Sequence, residues 1–118
     1  MKRVLVIDDD KIIRLLLTKL LQMEGFEVIF AENGDQGLQT IRDEEVDVIL
    51  MDYNLGGMTA LDLLEIMKTN MINKPVIIVS AFDKSDVTKT TVGFGVKDII
   101  QKPFTNHELI EKVRKIVN

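Results

Sequence analysis

The chain has no cysteine and a single histidine, His107, and these two scarcities exclude several kinds of chemistry. Without cysteine there is no disulfide framework, no thiol catalysis and no cysteine zinc site, which fits a reducing cytoplasm. One histidine cannot build a histidine metal site. Any metal bound here must therefore be held mainly by oxygen ligands.

Long apolar runs and an excess of basic charge are also absent. No run approaches the roughly 20 residues that a membrane-spanning helix needs, and Met1 to Arg3 lead into a short strand-like segment with no signal-peptide core. A net charge of −4 argues against direct nucleic-acid binding, which depends on neutralising phosphates. We expect a soluble, cytoplasmic protein without a membrane partner, and its 118 residues fit one domain, 1–118.

The chain does contain four short apolar runs, each followed by a residue that could handle a phosphoryl group. These are Val4–Ile7 before Asp8 and Asp9, Val48–Met51 before Asp52, Val76–Val79 before Ser80, and Ile99–Gln101 before Lys102. If the runs are neighbouring parallel strands, these side chains converge outside the carboxyl ends of the strands, where open α/β sheets bind ligands. The arrangement predicts a metal-assisted aspartyl phosphorylation site.

Apolar runs alternate with helix-period segments five times, which predicts a doubly wound α/β domain with a parallel sheet covered on both faces. The expected helices are Lys11 to Glu24, Asn33 to about Arg42, a third that carries Ala60, Leu63, Leu64 and Met67, a weak one over Lys84 to Val92, and a last one from Thr105. A second strand is expected over Glu27 to Phe30. The predicted core stripe of the first helix is Ile13, Leu16, Leu17 and Leu20.

Asp8, Asp9 and Asp10 lie at the junction of the first strand and the first helix. One aspartate could simply cap the helix. Three together, with Asp52 at the end of another strand, concentrate negative charge that costs free energy unless a cation is present. Mg²⁺ suits such a site because it prefers oxygen ligands and takes one or two carboxylates.

Asp52, Ser80 and Lys102 have plainer interpretations when each is taken alone. Asp and Ser are common turn residues, and most lysines are solvated. Taken together, the Asp52 carboxylate could attack phosphorus with help from a metal, while Ser80 and Lys102 donate to phosphate oxygens. Pro103 supports this interpretation because it favours an extended backbone at Lys102.

From Lys2 to Asn118 the chain resembles the response regulator receiver domain of two-component signalling. The matching motifs are Val6-Ile7-Asp8-Asp9-Asp10, Val48-Ile49-Leu50-Met51-Asp52-Tyr53-Asn54, Ile77-Ile78-Val79-Ser80-Ala81 and Gln101-Lys102-Pro103-Phe104. The resemblance implies a flavodoxin-like, five-stranded parallel sheet of order 2-1-3-4-5 with five helices. It also implies a cis bond between Lys102 and Pro103.

The resemblance further implies roles for individual residues. Asp52 would be the phosphoacceptor. Mg²⁺ would be bound by Asp9, Asp52 and the backbone carbonyl of Asn54, with Asp8 acting through a water. The phosphoryl oxygens would be bound by Ser80, Ala81, Lys102 and Asn54.

The implied partners are a histidine kinase or histidine phosphotransfer protein as donor and an effector domain or protein downstream. The fourth helix, fifth strand and last helix would carry the signal out and could form a homodimer. Such a domain is not an enzyme in the usual sense, although it can catalyse its own phosphorylation and dephosphorylation. Lys11, Arg14 and Leu15 are the predicted docking residues, since Leu15 points away from the core stripe; a single exposed leucine is also ordinary.

Three features depart from the family's usual pattern. The loop Leu55–Ala60 lacks the common proline and acidic residue, which leaves its conformation open. Ile99 replaces the usual aromatic residue, so a switch based on a swinging ring cannot operate there and would depend on Ser80 and the loop after it. Phe82 occupies a position that in the family tunes loss of the phosphoryl group.

Two other functions stay open. A phosphohydrolase of the haloacid dehalogenase type is suggested faintly by Asp8-Asp9-Asp10-Lys11-Ile12, but the chain is short, has no cap domain, and its motif order makes Asp52 the nucleophile. The other is an unphosphorylated interaction module that keeps only the receiver fold.

Overall fold

Five strands alternate with five helices in the computed structural model, which describes residues 1–117. The strands are β1 (Arg3–Ile7), β2 (Glu27–Ala31), β3 (Val48–Asp52), β4 (Val76–Ser80) and β5 (Val96–Gln101). The helices are α1 (Lys11–Met23), α2 (Gly34–Asp43), α3 (Ala60–Thr69), α4 (Lys84–Thr91) and α5 (Asn106–Val117). The predicted succession of elements is confirmed, with boundaries that differ by a residue or two.

The strands form one parallel sheet of order β2-β1-β3-β4-β5, which confirms the predicted topology. One face packs against α2, α3 and α4, and the other packs against α1 and α5. Because all strands run the same way, the residues that follow β1, β3, β4 and β5 meet at one edge of the sheet. The candidate site lies at this edge.

The rotation of α1 differs from the prediction. Leu16, expected in the core, is 61% exposed, and Ile13 and Leu20 are only partly buried. The buried positions are Arg14, Leu17 and Leu21. Apolar residues occupy more than one face of this helix, so their spacing alone did not determine which face meets the sheet.

The weak helix forms as α4, with an aspartate cap and several local hydrogen bonds from threonine hydroxyls. Asp83 caps it by accepting from two backbone N–H groups. Three threonine hydroxyls, those of Thr88, Thr90 and Thr91, each donate to the carbonyl four residues earlier. Val87 is its one buried apolar anchor, so few apolar contacts hold α4 to the sheet. Segments with few buried apolar contacts are the ones that open most readily.

The loop between β3 and α3 is well anchored without the proline that the family commonly has. Leu55 is fully buried, and its N–H donates to the carbonyl of Met58 at 2.8 Å. Its own carbonyl accepts from Gly34 at 2.9 Å. Gly56 and Gly57 have φ of 62° and 95°, a region that glycine enters without strain. The loop therefore has a defined path toward α2.

Within residues 1–117 we find no helix that combines the length and the apolar character of a bilayer-spanning segment.

Candidate functional site

Three carboxylates meet at the carboxyl end of the sheet. Asp8 follows β1, Asp9 is the next residue, and Asp52 ends β3; one oxygen of each lies within 4.8 Å of the others. Asp8 is 2% exposed, Asp52 is half-buried and Asp9 is exposed. The three acids therefore form a cluster that is buried at Asp8 and exposed to solvent at Asp9.

One ammonium group lies beside two of these acids. Nζ of Lys102 is 3.7 Å from Oδ2 of Asp52 and 4.0 Å from Oδ2 of Asp8. The backbone N–H of Lys102 donates to the carbonyl of Ser80 at 2.8 Å, and the peptide bond to Pro103 is cis, as the resemblance implied. The ammonium of Lys102 thus faces a cluster of three carboxylates.

The two less exposed acids of the cluster, Asp8 and Asp52, are harder to ionise than free aspartates. Burial raises the pKa of Asp8, although a hydrogen bond from the backbone of Asp10 opposes the shift. Burial also raises the pKa of Asp52, against the attraction of Lys102. Because each pKa is higher in the folded chain than in the unfolded one, ionising these groups disfavours folding. The stability they lend at low pH is lost as pH rises through the folded pKa values.

The site fits a divalent cation with a preference for oxygen. Three clustered carboxylates, one deeply buried and none fully neutralised by Lys102, make a donor set of the kind Mg²⁺ takes. A bound cation would offset the cost of ionising Asp8 and Asp52, whose pKa values are raised mainly by burial.

Ser80 is placed to act as a hydrogen-bond donor. It is 1% exposed, and its Oγ accepts from the N–H of Phe82 at 3.0 Å, which leaves its own proton free to donate. The ring of Phe82 packs edge-to-face against Tyr53, with centroids 5.6 Å apart and planes at 82°. The N–H of Tyr53 in turn donates to Oδ1 of Asp52 at 2.8 Å. The loop after Ser80 is thereby linked to the residue beside Asp52.

Tyr53 is the only tyrosine in a chain without tryptophan. Its fluorescence would therefore report on this site alone.

The other predicted site residues are distributed as follows. Asn54 and Ala81 are exposed in the loops that follow β3 and β4, at the same edge as the acids. Ile99 is 6% exposed and belongs to the core on the side of α4.

The docking prediction needs one correction. Lys11 and Leu15 are exposed, but Arg14 is 6% exposed and cannot present its side chain to a partner. Its Nη1 donates to the carbonyl of Asp8 at 2.9 Å. Sequence reasoning missed this contact to the site; the spacing of Arg14 from Leu17 and Leu21, on one helix face, was the available signal.

Comparison with known proteins identifies the family. The family model for the response regulator receiver domain matches residues 4–114. The chain belongs to this family. As a receiver domain it takes part in two-component signalling as a phosphoacceptor, and the comparisons give no support to a phosphohydrolase.

Several relatives are similar over nearly the whole chain. The cell cycle transcriptional regulator CtrA of Caulobacter vibrioides is 32% identical over 115 residues, covering 98% of this chain and 50% of that protein. The receiver domain therefore spans about half the length of the curated relatives it matches.

Solved receiver structures share the fold. A Francisella receiver domain has a TM-score of 0.92 at 32% identity, covering 99% of this chain and 97% of that one. The response regulator TrrA of Thermotoga maritima, crystallised in complex with Mg²⁺ and BeF, has a TM-score of 0.87 at 30% identity, covering 98% and 99%.

Proposed function

We propose that this single domain, residues 1–118, accepts a phosphoryl group on Asp52 from a histidine kinase or histidine phosphotransfer protein in the cytoplasm. Mg²⁺ would be held by Asp9, Asp52 and the backbone carbonyl of Asn54, with Asp8 acting through a water. The observation that carries the proposal is the convergence of three carboxylates and one ammonium group at the edge where ligands of such sheets bind. The TrrA complex with Mg²⁺ and BeF adds support from a similar protein.

The choice of Asp52 over Asp8 as nucleophile rests on accessibility. The side chain of Asp8 is 3% exposed, and its Oδ1 accepts from the N–H of Asp10 at 2.9 Å. The side chain of Asp52 is 17% exposed, and its two oxygens have different neighbours, the N–H of Tyr53 and the ammonium of Lys102. Asp52 is thus both oriented and reachable, whereas Asp8 is enclosed. This also disfavours the hydrolase alternative, in which Asp8 would attack.

Several residues of the chain have separate roles in the transfer step. A carboxylate oxygen of Asp52 forms a bond to phosphorus while the bond from phosphorus to the donor's nitrogen breaks, and that nitrogen keeps the electron pair. Lys102 and the hydroxyl of Ser80 donate to phosphoryl oxygens, and Ala81 and Asn54 complete the set around the group. Bound Mg²⁺ would neutralise charge on the incoming phosphoryl group. The same arrangement could support self-phosphorylation from small donors and later hydrolysis.

Phosphorylation would change the domain through Ser80. The group adds a charge of about −1.5 to −2 and draws the Ser80 hydroxyl toward it. Since Ser80 is bonded to the backbone of Phe82, this pull reaches the loop that leads into α4. No ring at Ile99 is required, because Ser80 and this loop carry the switch.

The proposed output surface is formed by α4, β5 and α5. Asp98 on β5 joins the three elements: its carboxylate lies 3.0 Å from Nζ of Lys112 on α5 and 4.0 Å from Nζ of Lys84 on α4. Burial alone would raise the pKa of Asp98, but the hydrogen bond and charge of Lys112 lower it overall. A shift of α4 would disturb this arrangement and alter the surface offered to an effector or to a second copy of the domain.

Binding of a phosphoryl analogue tests the proposal directly. Mg²⁺ and beryllofluoride together should change the fluorescence of Tyr53, because Tyr53 contacts both Asp52 and Phe82. Asp9→Asn should weaken the response to Mg²⁺ by about tenfold or more, since it removes an exposed ligand. Glu65→Gln, which removes one exposed negative charge on α3, is the matched control and should respond as wild type does.

A wild-type protein whose tyrosine emission and unfolding temperature are both insensitive to Mg²⁺ and beryllofluoride would favour the unphosphorylated interaction module. Binding at 100 times Kd should otherwise stabilise the fold by about 2.7 kcal/mol.

With Arg14 buried, the exposed leucines of α1 are residues that could contact a phosphotransfer protein. Leu15 is 50% exposed, and its neighbour Leu16, which is 61% exposed, lines an apolar groove of about 560 Å³ between α1 and the segment Lys102–Phe104. Leu15→Ala should slow transfer from a cognate phosphotransfer protein about tenfold, as loss of an interface anchor typically does, without changing phosphorylation by acetyl phosphate. Met71→Ala, at a 90% exposed apolar residue after α3, is the control. An equal loss with both donors would place Leu15 in folding rather than docking.

A further inference from the structure

Arg14 is a buried cation, although the residue next to it on α1 is exposed. It is 6% exposed, while Leu15 beside it is 50% exposed. Its guanidinium makes three contacts beyond α1: Nη1 donates to the carbonyl of Asp8 at 2.9 Å, Nη2 lies 3.6 Å from Oε1 of Glu32, and the group lies 5.3 Å from the ring centroid of Phe30. These contacts join the helix to the ends of both β1 and β2.

The carbonyl that Arg14 holds belongs to the peptide unit between Asp8 and Asp9. The same turn is also held by two other hydrogen bonds: the N–H of Asp8 donates to Ala31 at 3.3 Å, and the N–H of Asp10 donates to Oδ1 of Asp8 at 2.9 Å. A change in the direction of this peptide would move the carboxylates of Asp8 and Asp9 together. Both carboxylates belong to the three-acid cluster.

We propose that Arg14 is a positioning residue for the metal-binding acids, acting through the main-chain carbonyl of Asp8. The proposal rests on the Mg²⁺ site described above and adds to it a residue that touches neither the metal nor the phosphoryl group. Arginine suits the task because its planar fork can donate to the carbonyl, face Glu32 and cover an aromatic ring at the same time. Residues that orient metal ligands typically change metal affinity by about 10–100-fold when replaced.

A positioning role and a simple charge effect predict opposite results. Removing a cation close to an acidic site should strengthen Mg²⁺ binding if only charge matters, because the cation repels the metal. Loosening the turn that carries Asp8 and Asp9 should weaken it. The sign of the change in Kd for Mg²⁺ therefore separates the two roles, and loss of fold stability alone would leave Kd of the folded protein unchanged.

The experiment compares Arg14→Met, Arg14→Lys and the control Arg114→Met, which removes an exposed arginine paired with Glu24 on the surface. Kd for Mg²⁺ is measured from Tyr53 fluorescence well below the unfolding temperature. We expect about a tenfold or greater rise for Arg14→Met, a smaller rise for Arg14→Lys, which can still donate one hydrogen bond to Asp8, and no change for the control.

A second measurement needs no metal. Amide hydrogen exchange in the presence of EDTA should show faster exchange at Asp10 in Arg14→Met than in wild type, and no change in Arg114→Met. An unchanged or lower Kd for Mg²⁺ in both Arg14 variants would overturn the inference. If Arg14→Met does not fold, an unchanged Kd in Arg14→Lys together with unchanged exchange at Asp10 in that variant would overturn it. A wild-type protein that does not bind Mg²⁺ would instead remove the proposed function itself.

Discussion

Replacing Asp52 by asparagine should abolish phosphorylation while making the metal-free domain more stable. Transfer from acetyl phosphate, followed by mass spectrometry of the intact chain, should fall at least about 100-fold because an amide oxygen is a poor nucleophile. Stability in EDTA should rise by about 1 kcal/mol, since the change removes one of three crowded charges, one whose pKa burial already raises. Urea unfolding measures this second effect.

Asp10→Asn is a close control for this substitution. Asp10 follows the cluster and caps α1 by accepting from Ile12 and Ile13, and asparagine caps a helix about as well as aspartate does. This variant should be phosphorylated at nearly the wild-type rate. Labelling that survives in Asp52→Asn but disappears in Asp8→Asn would contradict the assignment and favour the hydrolase.

Replacing Lys102 by methionine should lower the rate of phosphotransfer and the metal-free stability, and should raise the affinity for Mg²⁺. Phosphotransfer should fall by about 100-fold, because the ammonium that lies 3.7 Å from Asp52 no longer meets the phosphoryl oxygens. Metal-free stability should fall by about 1 kcal/mol, a modest amount because Lys102 is partly exposed. Affinity for Mg²⁺ should rise, since the metal no longer competes with a cation for the same carboxylates.

Three measurements on the Lys102→Met variant test this prediction. The rate of phosphotransfer and the free energy of unfolding by urea in EDTA should both fall. Titration with Mg²⁺, followed by Tyr53 fluorescence, should give a lower Kd, and bound Mg²⁺ should restore the lost stability. Lys97→Met, at an exposed lysine on β5, should change none of them. A Lys102→Met protein that accepts phosphoryl groups at the wild-type rate would exclude Lys102 from the transfer step.

The order of the elements could be predicted because its signals are local. Buried parallel strands appear as short continuous apolar runs, and the residue at the end of each run is known before any folding is considered. Once the strands are parallel, Asp8, Asp52, Ser80 and Lys102 must reach the same edge. Most of the candidate site followed from this rule, together with the motifs of the receiver family.

The loop from Leu55 to Ala60 could not be predicted in the same way. Its path depends on the burial of Leu55 and on the hydrogen bond from Gly34, a residue 21 positions earlier in the chain. Neither contact has a local signature. A close approach also constrains Gly34, where an added Cβ would meet the side chain of Met58 and require that methionine to shift.

By itself the sequence determined the α/β class and the succession of strands and helices, because hydrophobic period and residue order are sufficient for these. Together with the motifs of the receiver family, it also indicated which side chains meet at the edge of the sheet. Only the tertiary structure decided the rotation of α1, the burial of Arg14 and the different exposure of Asp8 and Asp52. These depend on contacts between distant parts of the chain or the fold, such as the hydrogen bond from Arg14 to the turn after β1. An apolar residue pattern that covers more than one helix face cannot encode such a choice.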